Sequence, residues 1–438
     1  MANVSAPERI TSFKRAPSHS FSSLLIPTSL ALDLAEGRAP GHAQRVAYIA
    51  TALAEALELD APTRLACCYA GLLHDLGVIA AGKGLGAYTR ADERLVFASL
   101  PRMSPEDAAT VTDDPELVAG RIVDHVLHGA RAVKALGLPQ EAIQGVATHH
   151  ERWDGSGYPH GLHGERISVV GRVVGLADLI EAMIDETMPL LARRNLDSWL
   201  NRLSGAEADP KAVAQLHDLA ADDSFWLGLF GADVPGSLAA ACQRLREGRA
   251  MRLEPFVENF AKLFDSRFSF LTSVSERVAG VACDIARASG LPEPRVRKLR
   301  IAALLHDVGQ LAVSERIMAK PDILSVDELE TLRMHPTYSR DIVAGINGLD
   351  DEAAWVASHH ERIDGRGYPD GLQGDEIPLE ARILAIADAY VAITSDRPHR
   401  PRADEEEAQR QLRAASGTQL DRDLVEAFLS SINIKQAV

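Results

Sequence analysis

The sequence is short of the features that build crosslinked, exported or membrane-spanning chains. Its four cysteines are Cys67, Cys68, Cys242 and Cys283, with no CxxC pair. That is a poor start for a disulfide framework, and buried thiols in a reducing cytoplasm are expected instead. No unbroken apolar run reaches the roughly 18 residues of a membrane span, so no membrane crossing is expected. The N-terminal "MANVSAPERITSFKRAPSHS" has no apolar core of a secretory signal, and a cytoplasmic location follows. Basic charge is scarce too: 46 Lys and Arg face 62 Asp and Glu, a net charge of −16 with pI near 5.4. This argues against a nucleic-acid polymer or an anionic membrane as partner, since both need a basic face. A small phosphate ligand held by a few local arginines remains compatible.

What is present is a pattern written twice. The chain has 438 residues, 46% apolar and 25% charged, which suggests a globular protein of two or three domains. "HHERWDGSGYP" at His149–Pro159 returns as "HHERIDGRGYP" at His359–Pro369. "LLHDLG" at Leu72–Gly77 returns as "LLHDVG" at Leu304–Gly309, and "RVVGLADLIEAM" at Arg172–Met183 as "RILAIADAYVAI" at Arg382–Ile393. "SGAEADPKAVAQL" at Ser204–Leu216 answers "SGTQLDRDLVEAF" at Ser416–Phe428. His74 and His306 are 232 apart, whereas His149 and His359, like Asp178 and Asp388, are 210 apart. A 22-residue insertion therefore lies between Asp75 and His149 in the first copy, most simply within residues 80–114, which include "GKGLG".

The expected organisation is a flexible tail over 1–20, a first domain over 21–225, a connector over 226–253 and a second domain over 254–438. No low-complexity linker separates the copies, so they are expected to pack together. Helical periodicity dominates. In "GHAQRVAYIATALAEALEL", Val46, Ile49, Ala50, Leu53 and Leu57 share one stripe. The fold class is all-α, two tandem helical bundles related by internal duplication. Each Asp-Gly of the repeated stretch is turn chemistry, so a helix end runs into a tight loop there.

The chemistry lies in histidine placement. His74 and Asp75 sit inside the apolar "AGLLHDLGVIA", where a buried His–Asp pair is costly unless compensated. A metal ion compensates it. Imidazole and carboxylate suit Mn, Fe, Ni, Co or Zn, and one aspartate can bridge two ions.

A histidine before "QRVA", then "HD", a histidine in "HVLHG", "HHExxDGxGYP" and an aspartate in an apolar helix together resemble the HD-GYP branch of the HD-domain phosphohydrolases. The resemblance implies a helical bundle with a two- or three-metal site and hydrolysis of cyclic dinucleotides, above all cyclic di-GMP. It places metal ligands at His42, His74, Asp75, His125, His149, His150 and Asp178 in the first copy. The resemblance makes His74 and Asp75 the catalytic pair, with Asp75 expected to bridge two divalent transition metal ions. In the second copy the set is His306, Asp307, His335, His359, His360 and Asp388, incomplete because Val274 takes the place of the first histidine.

The family's lysine after HDxG falls on Val78 and Gln310. Its two basic phosphate-binding residues fall on Thr187 and Leu190 in the first copy, and survive as Arg397 and Arg400 in the second. Arginine suits phosphate through its rigid donor fork. Glu151 and Glu361 either orient the neighbouring histidines or are surface charges. Tyr158 and Tyr368 either stack on a base or close the core. "LHD" at Leu216–Asp218 reads as ordinary helix surface, and "DEEE" at Asp404–Glu407 as the acidic first turn of a helix.

Three functions stay open: a metal-dependent phosphodiesterase acting through the first copy, a degenerate receptor that binds a nucleotide or a protein partner, and a di-iron oxygenase. A signalling protein or a second copy of the chain could be a further partner.

Overall fold

Apolar residues spaced three and four apart become helices throughout. On α2 (His42–Ala56) the stripe Val46, Ile49, Ala50 and Leu53 is fully buried. The computed structural model describes residues 19–83, 85, 94, 96, 112, 114–185, 188–248, 251–268, 273–397 and 400–436. Nearly all of the expected tail over 1–20, and most of the expected insertion, lie outside the described residues.

The first half contains α1 (Phe21–Glu36), α2, α3 (Ala61–Leu73), α4 (Val78–Ala81), α5 (Pro115–Ala135), α6 (Gln140–Thr148), α7 (Val169–Ala182), α8 (Pro189–Leu203) and α9 (Pro210–Ala220). Two further helices, α10 (Asp223–Leu229) and α11 (Val234–Arg244), lead onward. The second half contains α12 (Leu253–Asp265), α13 (Val274–Ala288), α14 (Glu293–Leu305), α15 (Glu315–Met318), α16 (Val326–Arg333), α17 (His335–Ala344) and α18 (Asp350–Ala357). It ends with α19 (Leu379–Ile393), α20 (Glu405–Ala415) and α21 (Arg422–Gln436). Among the described residues there is no β-strand, only isolated bridges. The architecture is all-α.

The helix limits follow from their sequences. Asp60 caps α3, accepting from the Thr63 N–H at 3.0 Å. Asp404 caps α20 at the Glu407 N–H, and Glu405, Glu406 and Glu407 fill its first turn, as the acidic run suggests. Gly37 ends α1 in the left-handed conformation, its N–H reaching back to carbonyls of that helix.

The two halves share one hydrophobic core running from Phe21 to Leu429. Helix α1 packs on the 3-10 turn Val308–Ala312 and on α17, while α12 reaches α4. The fully buried Arg267 of the second half donates to the Val78 carbonyl of the first at 3.2 Å. The segment between the halves is helical, with Phe225, Trp226, Leu229, Leu238 and Cys242 buried in the core.

The stretch Ala61–Ala81 is long and apolar enough to cross a membrane by composition, contrary to the sequence expectation. Most of it is buried inside the fold, and it is broken after Leu73 by the turn that carries His74 and Asp75.

Candidate metal centres

The HD motif sits where α3 stops. His74 follows the last residue of α3, and the chain turns through Asp75, Leu76 and Gly77 before α4. The turn lies hard against α5. A Cβ on Gly77 would be 1.7 Å from the His125 carbonyl oxygen, so only glycine lets α5 bring His125 alongside Asp75. The second half repeats this contact, with a Cβ on Gly309 falling 2.2 Å from the His335 carbonyl.

The HHExxDGxGYP stretch does a related job at the end of α6. A Cβ on Gly157 would be 2.4 Å from the His150 carbonyl, which instead accepts from the Tyr158 N–H at 3.1 Å. The folded-back loop lays the Tyr158 ring on His150, with centroids 4.9 Å apart. The Tyr158–Pro159 and Tyr368–Pro369 bonds are both cis. Asp154 and Asp364 dock by their N–H groups on the Ala206 and Thr418 carbonyls, each at 2.9 Å. That contact explains why the "SG" segments recur together with the histidine stretch.

Glu151 does not orient a histidine. Its carboxylate accepts from the His160 and Leu162 N–H groups, both at 2.8 Å, and so clamps the loop. Glu361 holds the Asp370 and Gly371 N–H groups in the same way.

All seven first-half residues converge. Asp75 Oδ1 lies 3.2 Å from His125 Nε2 and 3.4 Å from His149 Nε2, and Asp75 Oδ2 lies 3.2 Å from His74 Nε2. Asp178 Oδ1, from α7, is 3.6 Å from His42 Nε2 and 3.7 Å from His74 Nε2. Ligand atoms of Asp75, His125, His149 and His150 lie within 4.8 Å of one another, and so do those of His42, His74 and Asp75. Asp75 belongs to both groups, the position a bridging carboxylate requires.

The tautomers are set by the backbone. His74, His125 and His149 each place Nδ1 on the carbonyl three residues earlier, those of Gly71, Ile122 and Val146. An Nδ1–H donated there leaves a lone pair on Nε2, aimed at the centre. His42 instead sets Nδ1 on Glu181, which also accepts from Arg45 Nε at 2.8 Å. Glu181 was not singled out in the sequence, although it lies three residues beyond Asp178 on one helix face.

The result is a knot of unsatisfied groups. Nε2 of His42, His74, His149 and His150, with Oδ1 of Asp75 and of Asp178, are buried without a hydrogen-bond partner. Burial of so many lone pairs is costly unless a cation gathers them. This donor set of imidazoles and carboxylates fits divalent transition metals.

Titration behaviour agrees. Burial first, then the neighbouring His149 and His125, push His150 well below its ordinary value, so it is a neutral donor. Burial would raise Asp75, but the His74 charge and the close approach of the His125 and His149 rings hold it well below the usual carboxylate range. His74 differs: burial would lower it, yet Asp75 and Asp178 outweigh burial and raise it to about 10, so in metal-free protein its Nε2 carries a proton in the place an ion would take.

The second half rebuilds the same frame with one ligand missing. His306, His335 and His359 again bond the carbonyls three residues back, at 2.6–2.7 Å. Asp307 Oδ1 lies 3.1 Å from His335 Nε2 and 3.7 Å from His359 Nε2. Asp307, His335, His359 and His360 form a complete four-donor group, while His306, Asp307 and Asp388 form a three-donor group. Val274 opens α13 as His42 opens α2, and the two starts are held alike. Asp33 accepts from the Gly41 and Ala43 N–H groups at 2.6 and 2.9 Å, and Asp265 from the Ser275 N–H at 3.1 Å. The scaffold is intact and the donor is gone.

The centres also differ in access. The Asp75 and Asp178 side chains are 3% and 2% exposed, those of Asp307 and Asp388 12% and 19%. Beside the first centre, Val78, Ala81, Leu85, Val96, Val118 and Ile122 form an apolar cluster against Tyr158. The second opens into a cleft of about 540 Å³ lined by Lys320, His335, His360, Tyr368, Arg397 and Arg400 among others. Arg400 spends two donors on the Ile393 and Ala392 carbonyls, at 3.2 and 2.8 Å. Leu190, at one lost basic position of the first half, is 81% exposed, and Thr187 lies outside the described residues. His217 and Asp218 are exposed helix surface, as read from the sequence.

These features agree with the chain's relatives. The HD domain family model matches residues 105–209 and 258–424. The chain is 28% identical over 446 residues to 3'3'-cGAMP-specific phosphodiesterase 3 of Vibrio cholerae, covering 94% of this chain and 95% of that protein. It is 39% identical over 157 residues to a cyclic di-GMP phosphodiesterase of Thermotoga maritima, covering 35% of this chain and 43% of that protein. A crystal structure of a cyclic GMP-AMP specific phosphodiesterase of V. cholerae superposes with a TM-score of 0.68 at 26% identity, covering 95% of this chain and 98% of that one. The chain belongs to the HD domain family, in its HD-GYP branch.

Proposed function

We propose that this chain is a metal-dependent phosphodiesterase of cyclic dinucleotides, with two divalent transition metal ions held in the first half. The observation that carries the reading is the convergence of buried, unsatisfied Nε2 and carboxylate atoms around Asp75. The substrate class is supported by relatives named for 3'3'-cGAMP and cyclic di-GMP.

His42, His74 and Asp178 would hold one ion, His125, His149 and His150 the other, and Asp75 both. Bound there, the ions supply positive charge against an anionic phosphodiester and a hydroxide source at neutral pH. The protein's own part is positioning. Backbone carbonyls fix three imidazole tautomers, Glu181 fixes His42, and the Glu151 clamp keeps the Tyr158 loop folded over His150. Dry, fixed donors need no reorganisation when charge moves in the reaction.

A second reading is favoured by access. The second half, with its open cleft, four-donor group and cationic lining, would bind the nucleotide as a sensor or hydrolyse it weakly. The deciding experiment is turnover of 3'3'-cyclic GMP-AMP and cyclic di-GMP by the full chain loaded with Mn²⁺ or Fe²⁺, compared with a generic aryl phosphodiester. Turnover of a cyclic dinucleotide that Asp75→Asn removes supports the proposal. Full metal loading without turnover leaves the receptor reading.

A further inference from the structure

One side chain crosses from the second half and ends beside the first HD turn. Arg267 lies two residues past Asp265, the cap of α13, and is wholly buried although its charge is permanent. Its Nη1 donates to the Val78 carbonyl at 3.2 Å. Val78 opens α4 and gives its own N–H to the Asp75 carbonyl at 2.9 Å. A single residue thus separates the guanidinium from the backbone of the aspartate that both donor groups share. The far end of α4 is shaped to the same side chain. A Cβ on Gly82 would lie 1.5 Å from Arg267 Nη1, so a methyl group there would displace the guanidinium.

The contact is one-sided. The residue 232 places before Arg267 is Ala35, and the residue 232 places after Gly82 is Ser314. It is therefore no part of the duplicated frame, and it acts on the half whose donor set is complete. Two apolar faces can pack without a buried guanidinium, which is costly to take out of water. What Arg267 adds is direction, a fixed donor on one carbonyl of α4. Helix α4 also packs on α5, which carries His125, so its placement governs how Asp75 meets His125, now 3.2 Å apart.

We propose that Arg267 is a positioning residue of the first centre, supplied by the second half. It holds α4, and through Val78 the Asp75 turn, at the distance from His125 at which both donor groups close on Asp75. The proposal rests on the reading of that centre as a metal site, and the experiment separates the two. The full chain carries Asp307→Asn, which takes the shared donor from the second centre, and is loaded with Mn²⁺. Arg267→Met, Arg267→Lys and Gly82→Ala are made on this parent. Each is measured for Mn²⁺ affinity, for the EPR signal of a spin-coupled Mn²⁺ pair, and for melting temperature without metal. Gly345→Ala is the control for a merely structural role. Its added carbon would meet Pro27 of α1 at 2.8 Å, which disturbs the packing of the halves at α17 rather than at Arg267.

The expected result is Mn²⁺ affinity at least about 10-fold weaker in Arg267→Met and in Gly82→Ala, with the coupled signal lost. Arg267→Lys, which can still donate to the Val78 carbonyl, should fall between these and the parent. Combining Arg267→Met with Gly82→Ala should cost no more than Arg267→Met alone, because both remove one contact. Gly345→Ala should lower the melting temperature and keep the parent's affinity. Unchanged affinity in Arg267→Met and Gly82→Ala overturns the proposal, as do additive losses in the double variant. So does a Gly345→Ala variant that loses as much affinity for the same drop in melting temperature, since Arg267 would then serve packing alone. If Arg267→Met does not fold, Gly82→Ala carries the test, and an affinity equal to the parent's overturns the proposal. A parent that takes up no Mn²⁺ overturns the metal-site reading itself, and the Arg267 assignment with it.

Discussion

The two halves share a frame and differ in what they put on it. Each has an HD turn pressed against a histidine helix through a glycine, a tyrosine folded onto the second histidine of the pair, and an aspartate capping the helix that carries, or should carry, the first ligand. The first half fills every donor position and buries the result. The second drops His42's counterpart to Val274 and opens a cleft with Lys320, Arg397 and Arg400 on its walls. Backbone packing can thus hold a site's geometry after one ligand is lost, so geometry alone does not make two sites equivalent.

The comparison breaks most directly at the bridging aspartates. Asp75→Asn is expected to lower cyclic dinucleotide hydrolysis by at least about 100-fold, and Asp307→Asn by less than about 10-fold. Chromatographic product assays on the full chain check this, and the reverse ranking would move the chemistry to the second half.

The second test exchanges the differing ligand. His42→Val should weaken metal retention in the first half by roughly 10- to 100-fold, and Val274→His should strengthen it in the second by a similar factor. Metal per chain after dialysis reads both. If Val274→His gains nothing, the α13 start is not the mirror of the α2 start that the capping bonds indicate.

A third, smaller effect concerns packing. Gly77→Ala and Gly309→Ala should each destabilise the fold by about 1–3 kcal/mol. Gly77→Ala should cost more, because its added carbon meets a carbonyl at 1.7 Å rather than 2.2 Å. Denaturant unfolding measures the pair.

The last prediction concerns pH. In metal-free protein, His74 is raised to about 10 and His306 to about 9, against an ordinary 6.5; burial opposes both shifts and Asp75 and Asp307 overcome it. A histidine whose folded pKa is raised contributes stability that is complete below its unfolded pKa and lost as pH climbs through the folded one. Metal-free protein should therefore lose stability between about pH 6.5 and pH 10, the first half over the wider span. Loaded protein should lack this alkaline loss, because the ion occupies the place of the proton. Melting curves across that range, with and without metal, decide it.

Much of this was legible in the sequence because it depends on spacing. The α2 stripe follows from helical periodicity, the repeated motifs from comparing the two halves, and the seven donors of the first half from the resemblance of those motifs to the HD-GYP pattern. What escaped depends on contacts between segments far apart in the chain. Glu181 holds His42 only because α7 crosses α2, and Glu151 clamps its loop because the chain doubles back after Tyr158. Asp33 and Asp265 stand at the same 232-residue offset as the HD motifs and could have been read as a pair, yet their role as caps appears only when α1 and α12 fold back on the next helix. The commitment of Arg400 to helix carbonyls is of the same kind. The difference in access has no signal in spacing at all.

Anomalous diffraction from crystals of the full chain grown with Mn²⁺ addresses the central claim most directly. The account predicts two peaks about 4 Å apart or less inside the cage of His42, His74, Asp75, His125, His149, His150 and Asp178. Peaks confined to the second half, with none in that cage, would contradict it.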